Sequence, residues 1–150
     1  METSELYFSF VVKTDFSAAC HRFDQCGVVL YLDSESWLKA SVEFEDGKFH
    51  HLGSVVTNEG YSDWATTAID GQIRTMWYCL SRRGDDYRLE CSRDGVNFSQ
   101  MRVCHLRKGG GAIRFGLYAC SPEESPFTAV FSHMQVTECQ WQAHDGQQPD

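Results

Sequence analysis

Hydrophobic and polar residues alternate along most of the chain with a period of two, which is the spacing of side chains on a β-strand. Residues 37–45 show this pattern most clearly. Their even positions are all apolar, namely Leu38, Ala40, Val42 and Phe44. Their odd positions are aromatic, polar or charged, namely Trp37, Lys39, Ser41, Glu43 and Glu45. Because neighbouring side chains point to opposite faces, the segment is predicted to be a strand with one apolar face and one aromatic, charged face.

Short apolar runs separated by turn residues predict further strands along the rest of the chain. They are 6–13, 27–32, 49–58, 65–69, 76–82, 87–92, 98–106, 113–120 and 127–136. The dipeptides at 46–47 and 94–95 are both Asp-Gly, a strong hairpin-turn signal. The pattern therefore predicts an all-β domain over residues 1–139, folded as a two-sheet antiparallel β-sandwich, followed by a polar, frayed C-terminal tail at 140–150.

The charge balance argues against nucleic-acid and membrane partners. The 150-residue chain has 13 Lys and Arg against 21 Asp and Glu, a formal net charge of −8, and this charge repels phosphate groups. No segment reaches the ~18 consecutive apolar residues that a membrane helix needs. Residues 1–5 contain two acids and no base, and so lack the features of a signal peptide. We therefore expect a single-domain cytoplasmic protein with no nucleic-acid and no membrane partner.

The seven cysteines do not show the spacing of a disulfide framework or a zinc site. No two of them form a C-x-x-C pair, so we interpret them as free thiols that serve as small apolar residues, with a regulatory or metal-binding thiol as the alternative. His50 and His51 are adjacent and should face opposite sides of a strand. The glycines at 109–111 lack the Lys-Ser/Thr of a phosphate loop and are interpreted as a flexible link. We expect no metal, no cofactor and no catalytic residue.

Four short blocks in a fixed order carry a family resemblance. They are 23–30 (FDQCGVVL), 37–43 (WLKASVE), 60–64 (GYSDW) and 92–95 (SRDG). Their order and spacing resemble those of an uncharacterised family with a concanavalin A-like lectin and glucanase fold, labelled regulation-of-enolase-like (domain of unknown function 1349).

The resemblance implies a jelly roll with one convex and one concave antiparallel sheet, but no agreed activity. Because lectins and glucanases belong to the wider fold class, carbohydrate is the first ligand class to consider, although a fold does not determine a function. Family members usually begin with further residues that supply an opening strand. The resemblance therefore also implies that this chain lacks the opening strands and leaves a sheet edge uncovered.

The odd-numbered face of residues 37–45 is the first candidate site. If it is the concave face, Trp37 offers an apolar ring to a sugar, and Lys39 and Glu43 can hydrogen-bond its hydroxyl groups. The alternative is a solvated face on which a Lys-Glu pair contributes little.

A second candidate is a loop that presents Tyr61, Asp63 and Trp64 together, because rigid aromatic side chains bind at a low entropic cost. In the alternative, Asp63 bonds nearby backbone amides and Trp64 closes one end of the sandwich. Asp24 and Gln25 precede a buried strand and either contact a ligand at the sheet edge or stabilise a turn. Residues 92–98 resemble the turn motif called an Asp box, which is a structural feature.

Three functions remain open at this point. The first is a non-catalytic module that binds carbohydrate or a small polar ligand through an aromatic and charged concave face. The second is a regulatory protein-interaction module linked to metabolism, with a protein partner. The third and least supported is a glycan-active hydrolase. Glu43 and Glu45 lie ~7 Å apart by strand rise, which suits an inverting enzyme, but the chain has no E-x-D-x-x-E motif like that of glucanases with this fold.

Overall fold

The described part of the chain contains eleven β-strands joined by turns and loops. The computed structural model describes residues 1–143. The strands are β1 (Glu2–Thr3), β2 (Tyr7–Asp15), β3 (Gln25–Asp33), β4 (Ser36–Phe44), β5 (Phe49–Asn58), β6 (Tyr61–Asp70), β7 (Thr75–Arg83), β8 (Asp86–Ser92), β9 (Ser99–His105), β10 (Ile113–Cys120) and β11 (Val130–Thr137). Within residues 1–143 there is no helix long and apolar enough to cross a membrane.

The strands form two sheets with antiparallel pairing. Sheet A has six strands in the order β1-β10-β3-β4-β5-β6, and sheet B has five in the order β11-β2-β7-β8-β9. This confirms the predicted all-β, two-sheet antiparallel sandwich. The two-residue β1 is not among the predicted strands, because a run so short has no measurable periodicity.

The apolar faces of the two sheets pack against each other and form the core. Leu38 and Val42 of β4 are buried on this inner face. From sheet B, the rings of Phe8 and Phe10 contact Phe115 of β10 at centroid distances of 4.8 and 5.3 Å. The alternation in residues 37–45 therefore has the predicted result, since its apolar side lies in the core and its polar side lies outside.

Strand β6 begins at Tyr61, earlier than the predicted start at residue 65. The cause is a tight turn in which Glu59 and Gly60 both have positive φ angles, 52° and 82°, so that Asn58 pairs directly with Tyr61. Two-residue turns of this kind match the twist of a hairpin. The loop predicted for residues 61–64 is therefore wrong, and these residues belong to the edge strand of sheet A.

The outer face of sheet B is partly covered by the chain that follows β11. The backbone N–H of Gln140 donates to Ser9 Oγ at 2.8 Å, and Trp141 is only 1% exposed. The Trp141 ring lies 5.7 Å from the Arg88 guanidinium carbon, and Arg83 donates to the Trp141 carbonyl oxygen at 3.1 Å. The packed chain thus continues past residue 139, the predicted end of the domain. Residues 144–150 of the predicted tail lie outside the described residues.

All seven cysteines are free thiols, in agreement with their spacing. Burial raises the pKa of Cys26 and of Cys104 to about 12. These two thiols therefore keep their protons at neutral pH and behave as small apolar residues.

Candidate functional site

A depression of about 280 Å³ lies on the outer face of sheet A, across strands β3 to β6. We call it the sheet A groove. Its principal side chains are Gln25, Trp37, Lys39, Glu43, His51 and Trp64. Four neighbouring strands therefore contribute to one recessed surface.

A row of four small residues forms the floor of the groove, and three of them, Ser41, Gly53 and Thr66, line the depression itself. Gly27, Ser41, Gly53 and Thr66 are consecutive cross-strand partners from β3 to β6, and residues paired in this way share a face of the sheet. Two of the four have no side chain, so the surface is recessed along this row. A Cβ atom on Gly27 would lie 1.8 Å from the carbonyl oxygen of Ala40, and the close approach of β3 to β4 therefore requires glycine at this position.

Two tryptophans border the groove. Trp37 lies on β4 opposite Thr57 of β5, and Trp64 lies on β6 opposite Val55 of β5. Two strand spacings and an offset of two residues along the strands separate their backbones by ~12 Å. Trp37 is partly exposed and Trp64 is 74% exposed. The floor is thus flanked by two accessible aromatic side chains.

A hydrogen-bonded network of polar side chains occupies the side of the groove nearest β10. Lys39 Nζ donates to Gln25 Oε1 at 2.6 Å and to the Tyr118 hydroxyl at 3.0 Å. The Tyr118 hydroxyl donates to the same Gln25 oxygen at 3.1 Å, and Gln25 Nε2 donates to Glu43 Oε2 at 3.0 Å. These contacts hold four side chains from three strands in one arrangement.

Partial dehydration of this network alters the acidity of two of its members. Burial lowers the pKa of Lys39, although the nearby Glu43 carboxylate opposes the shift. Burial also raises the pKa of Tyr118, so its phenol keeps the proton at neutral pH. The Lys39 ammonium nitrogen lies 4.5 Å from the centroid of the Tyr118 ring, within the range of a cation–π contact. The groove therefore presents a basic group, a carboxylate and an amide side by side, and the Tyr118 phenol on β10 is hydrogen-bonded to two of them.

The structure brings five of the sequence-predicted site residues together in the groove. They are Gln25, Trp37, Lys39, Glu43 and Trp64. The sequence pattern placed them in three separate candidates, and the pairing of β3 with β4 and of β5 with both β4 and β6 unites them.

Tyr61 and Asp63 face away from the groove, because alternate residues of β6 point to opposite sides. Asp63 pairs with Val56, whose side chain is buried in the core. The Asp63 carboxylate lies 3.4 Å from an Arg102 guanidinium nitrogen, and Tyr61 is 85% exposed. The surface predicted for Tyr61, Asp63 and Trp64 is therefore divided between two sides of one strand.

Asp24 is 1% exposed and joins two loops of its own chain. Its carboxylate accepts hydrogen bonds from the backbone N–H groups of Cys20 and His21, both at 3.0 Å. The hydroxyl groups of Ser121 and Ser125 donate to it at 2.5 and 2.9 Å. These contacts correspond to the structural alternative for Asp24.

Residues 92–98 form a tight turn stabilised by an aspartate, as the Asp-box resemblance predicted. Asp94 Oδ1 accepts the backbone N–H groups of Asn97 and Val96, both at 2.8 Å, and these bonds hold the pKa of Asp94 well below its usual range. Gly95 has a φ of 75°, and a Cβ atom there would lie 2.6 Å from the Trp77 ring. Trp77 of β7 therefore packs directly under this turn.

Two ring-bearing residues of the site, Tyr118 and His51, were not among the predicted site residues. Tyr118 is 93 positions from its hydrogen-bond partner Gln25, and the pairing of β10 with β3 that joins them has no local sequence signal. His51 pairs with Glu43 across the β4–β5 hairpin. The Asp-Gly signal at 46–47 does not give this second contact. A two-residue turn there would pair Glu43 with His50, and the observed connection is one residue longer.

One protein family matches residues 1–139 of the chain, and it is described as Protein of unknown function (DUF1349). The chain belongs to this family. The match confirms the resemblance carried by the four sequence blocks.

Two similar proteins come from Saccharomyces cerevisiae. Regulation of enolase protein 1 is 30% identical over 115 residues, which cover 77% of this chain and 57% of the relative. A functionally unknown yeast protein of known structure is 29% identical, with a TM-score of 0.80 over 92% of this chain and 72% of that chain. The DUF1349 chain thus spans little more than half of the curated relative that it matches.

A bacterial structure shows the same fold at lower identity. A mutant of the GH43 protein BlXynB from Bacillus licheniformis has a TM-score of 0.72 and 17% identity, over 89% of this chain and 28% of that one. This likeness supports the β-sandwich architecture of the DUF1349 chain.

Proposed function

We propose that the sheet A groove is a non-catalytic binding site for carbohydrate. The observation that carries the proposal is the combination of two tryptophans, Trp37 and Trp64, with a polar network around one open depression. The opposite outer face, on sheet B, is partly covered by Gln140 and Trp141 of the same chain. Sheet A therefore offers the recessed and accessible surface of the sandwich.

The groove has a partner for each kind of surface on a sugar. Sugar rings carry apolar C–H faces, and Trp37 and Trp64 offer large, rigid apolar surfaces against which such faces pack. Sugar hydroxyl groups both donate and accept. The Lys39 ammonium has a third N–H beyond its bonds to Gln25 and Tyr118, and the Glu43 carboxylate is an acceptor. Its volume of about 280 Å³ is near the lower limit of small-ligand sites, ~300 Å³. It therefore suits one or two sugar residues.

The contacts of the carboxylates support binding over hydrolysis. Glu43 already accepts a hydrogen bond from Gln25, and Glu45 contacts Arg22 at 2.6 Å. A glycosidase needs one carboxyl group that donates a proton and a second that acts as base or nucleophile. Here both carboxylates are engaged as acceptors, which suits the orientation of a ligand more than proton transfer.

Structural similarity favours carbohydrate as the ligand class. GH43 proteins include glycoside hydrolases, and the match to BlXynB covers only 28% of that chain. The fold therefore occurs there as one part of a larger protein, which is a usual setting for a binding module.

The name of the yeast relative favours a second candidate, a regulatory protein-interaction module linked to metabolism in the cytoplasm. Its binding surface would be the exposed edge strand β6, where Tyr61 is 85% exposed on the side away from the groove. An edge strand presents unpaired backbone groups to which a partner can add a strand.

A glycan array of the purified chain tests the proposal, with Trp37→Ala and Trp64→Ala beside the matched control Tyr61→Ala. Tyr61 and Trp64 are both exposed aromatics on β6 but face opposite sides. We expect the wild type and Tyr61→Ala to bind the same glycans and both tryptophan variants to lose at least about tenfold in affinity, or ~1.4 kcal/mol. Their melting temperatures should be close to that of the wild type.

Two results would contradict the carbohydrate site. One is an array on which the wild type binds no glycan, which would favour the protein-interaction candidate. The other is glycan binding that Tyr61→Ala removes and Trp64→Ala preserves. If Trp37→Ala unfolds the chain, Trp64→Ala still decides the test, because Trp64 is 74% exposed.

A further inference from the structure

Three metal-ligating side chains converge at the end of the sheet A groove nearest the β4–β5 turn. They are Glu43, Glu45 and His51, and one ligand atom from each lies within 4.8 Å of the other two. We propose that this cluster binds a divalent transition-metal ion of the Zn²⁺ type. The proposal does not depend on glycan binding, because all three ligands belong to this chain.

The convergence follows from strand register. Glu43 of β4 and His51 of β5 are direct cross-strand partners, so their side chains share the outer face. Glu45 follows Glu43 by two positions, which returns its side chain to that face. Hairpin pairing therefore brings together three ligands that the sequence distributes over nine residues.

One carboxylate oxygen of the cluster lacks a hydrogen-bond donor. Glu45 Oε2 is buried and has no hydrogen-bond partner among the described residues. Arg22 contacts the other oxygen, Oε1, at 2.6 Å, and His51 Nδ1 lies 3.7 Å from Oε2, too far for a hydrogen bond. A buried carboxylate oxygen without a partner is destabilising. A cation bound between Glu45 and His51 supplies the partner that Glu45 Oε2 lacks.

The ligand types and spacing fit a small divalent cation. Zn²⁺ binds carboxylate oxygens at ~2.0–2.2 Å and imidazole nitrogens at ~2.0–2.1 Å, so its ligand atoms lie ~3.3–3.5 Å apart in a tetrahedral site. The His51–Glu45 distance of 3.7 Å is close to that value. A mixture of carboxylate and imidazole favours Zn²⁺ or Mn²⁺ over Ca²⁺. Three protein ligands leave a fourth position for water, and Glu43 and His51 both line the groove.

Neighbouring groups already orient the three ligands. Gln25 Nε2 holds Glu43 Oε2 at 3.0 Å, Arg22 holds Glu45 Oε1, and the Phe49 ring packs edge-on against His51 at a centroid distance of 5.2 Å. Such outer contacts fix the direction of metal ligands and strengthen binding.

A second cluster serves as an internal control. Asp85, Asp86 and His105 also place ligand atoms within 4.8 Å of one another. The His105 side chain is 52% exposed, however, and one of its ring nitrogens is already hydrogen-bonded to Asp86 at 2.8 Å. Exposed acidic groups next to a histidine are common without any metal, so His105→Ala reports on adventitious binding.

Calorimetric titration of the chelator-treated chain with ZnCl₂ tests the site. We expect one Zn²⁺ per wild-type chain and a rise in melting temperature on binding. Glu45→Gln and His51→Ala should each lose at least about tenfold in affinity, whereas His105→Ala should bind like the wild type. Circular dichroism checks that the variants fold, and His51→Ala carries the test if Glu45→Gln does not fold.

The metal proposal fails if the wild type does not bind Zn²⁺, or if His51→Ala binds as tightly as the wild type. It fails equally if His105→Ala removes the binding, because that result assigns the ion to the other cluster. None of these results depends on the glycan array, so the two proposals can fail separately.

Discussion

Arg82 shows at the residue scale how one side chain can hold several loops. It is completely buried. Its guanidinium donates to the carbonyl oxygens of Glu5, Gly84, Gly109 and Gly111 at 2.6 to 2.9 Å. The N-terminal segment, the β7–β8 turn and the loop before β10 are thereby joined. The glycine loop at 109–111, predicted to be a flexible link, is tied to the core by this side chain.

Arg82→Met should lower the free energy of unfolding by about 3 kcal/mol, because it leaves several buried carbonyl groups without donors. Urea denaturation of the purified chain measures the change. Arg107→Met is the matched control. Arg107 is 66% exposed and contacts the exposed Glu59, so its loss should change the free energy by less than about 0.5 kcal/mol. Equal effects of the two substitutions would show that Arg82 has no special structural role.

At the scale of secondary-structure elements, Asp24 joins the β2–β3 loop to the segment between β10 and β11. Its hydrogen bonds thereby stabilise the fold. Burial of its carboxyl group opposes ionisation, but hydrogen bonds from Ser121, the Cys20 and His21 amides and Ser125 outweigh that effect and lower the pKa. The folded chain therefore binds a proton at Asp24 less readily than the unfolded chain. This contribution to stability is complete above the unfolded pKa and is lost as the pH falls through the lower, folded value.

Asp24→Asn should therefore lower the free energy of unfolding by about 2 kcal/mol at pH 7. The difference from the wild type should shrink as the pH falls below about 3.9, the ordinary pKa of an aspartate. Urea denaturation at several pH values measures it. Asp63→Asn is the control, because the Asp63 side chain is 78% exposed. A stability difference that is constant with pH would refute the assigned role of the charge.

At the same scale, the bounds of a strand could be predicted from the sequence where one of its faces is buried and the other is exposed to solvent. Strands β5 and β10 begin and end at the predicted residues 49–58 and 113–120. The sequence of β10 alternates regularly, and that of β5 is bounded by turn residues on both sides. Strand β6 was misplaced at its start because all of its residues but one are exposed, so alternation of burial gave no guide. Its true start follows directly on the turn at Glu59 and Gly60, where both φ angles are positive, so that pairing resumes at Tyr61.

The candidate site was only partly predictable for a related reason. The alternation around Trp37, Lys39 and Glu43 is sufficient by itself to predict a polar face on β4. The side chains that contact this face come from strands distant in sequence, such as Tyr118 of β10, and the pairing of those strands decides which residues meet. The cluster that we propose as a metal site was not recognised from the sequence, because the expectation of no metal rested on ligand spacing along the chain. Glu43 and His51 are neighbours only across the hairpin.

At the scale of the whole molecule, the sandwich has two outer faces of different character. Sheet A carries Trp37 and Trp64 around an open groove. Sheet B carries Trp77 and Trp141 on its outer side, where Trp77 packs under the turn at Gly95 and Trp141 is buried at 1% exposure. The four tryptophans of the chain are thus divided equally between the face proposed to bind ligand and the face covered by the chain itself.

This division allows one spectrum to locate the site. Each of the four indole N–H groups gives its own signal in a ¹H–¹⁵N correlation spectrum, which can be assigned by substituting the tryptophans one at a time and followed while the strongest ligand from the glycan array is added. We predict that the signals of Trp37 and Trp64 shift with increasing ligand, while those of Trp77 and Trp141 stay in place. Shifts confined to Trp77 and Trp141, or no shift in any of the four at saturating ligand, would contradict a carbohydrate site in the sheet A groove.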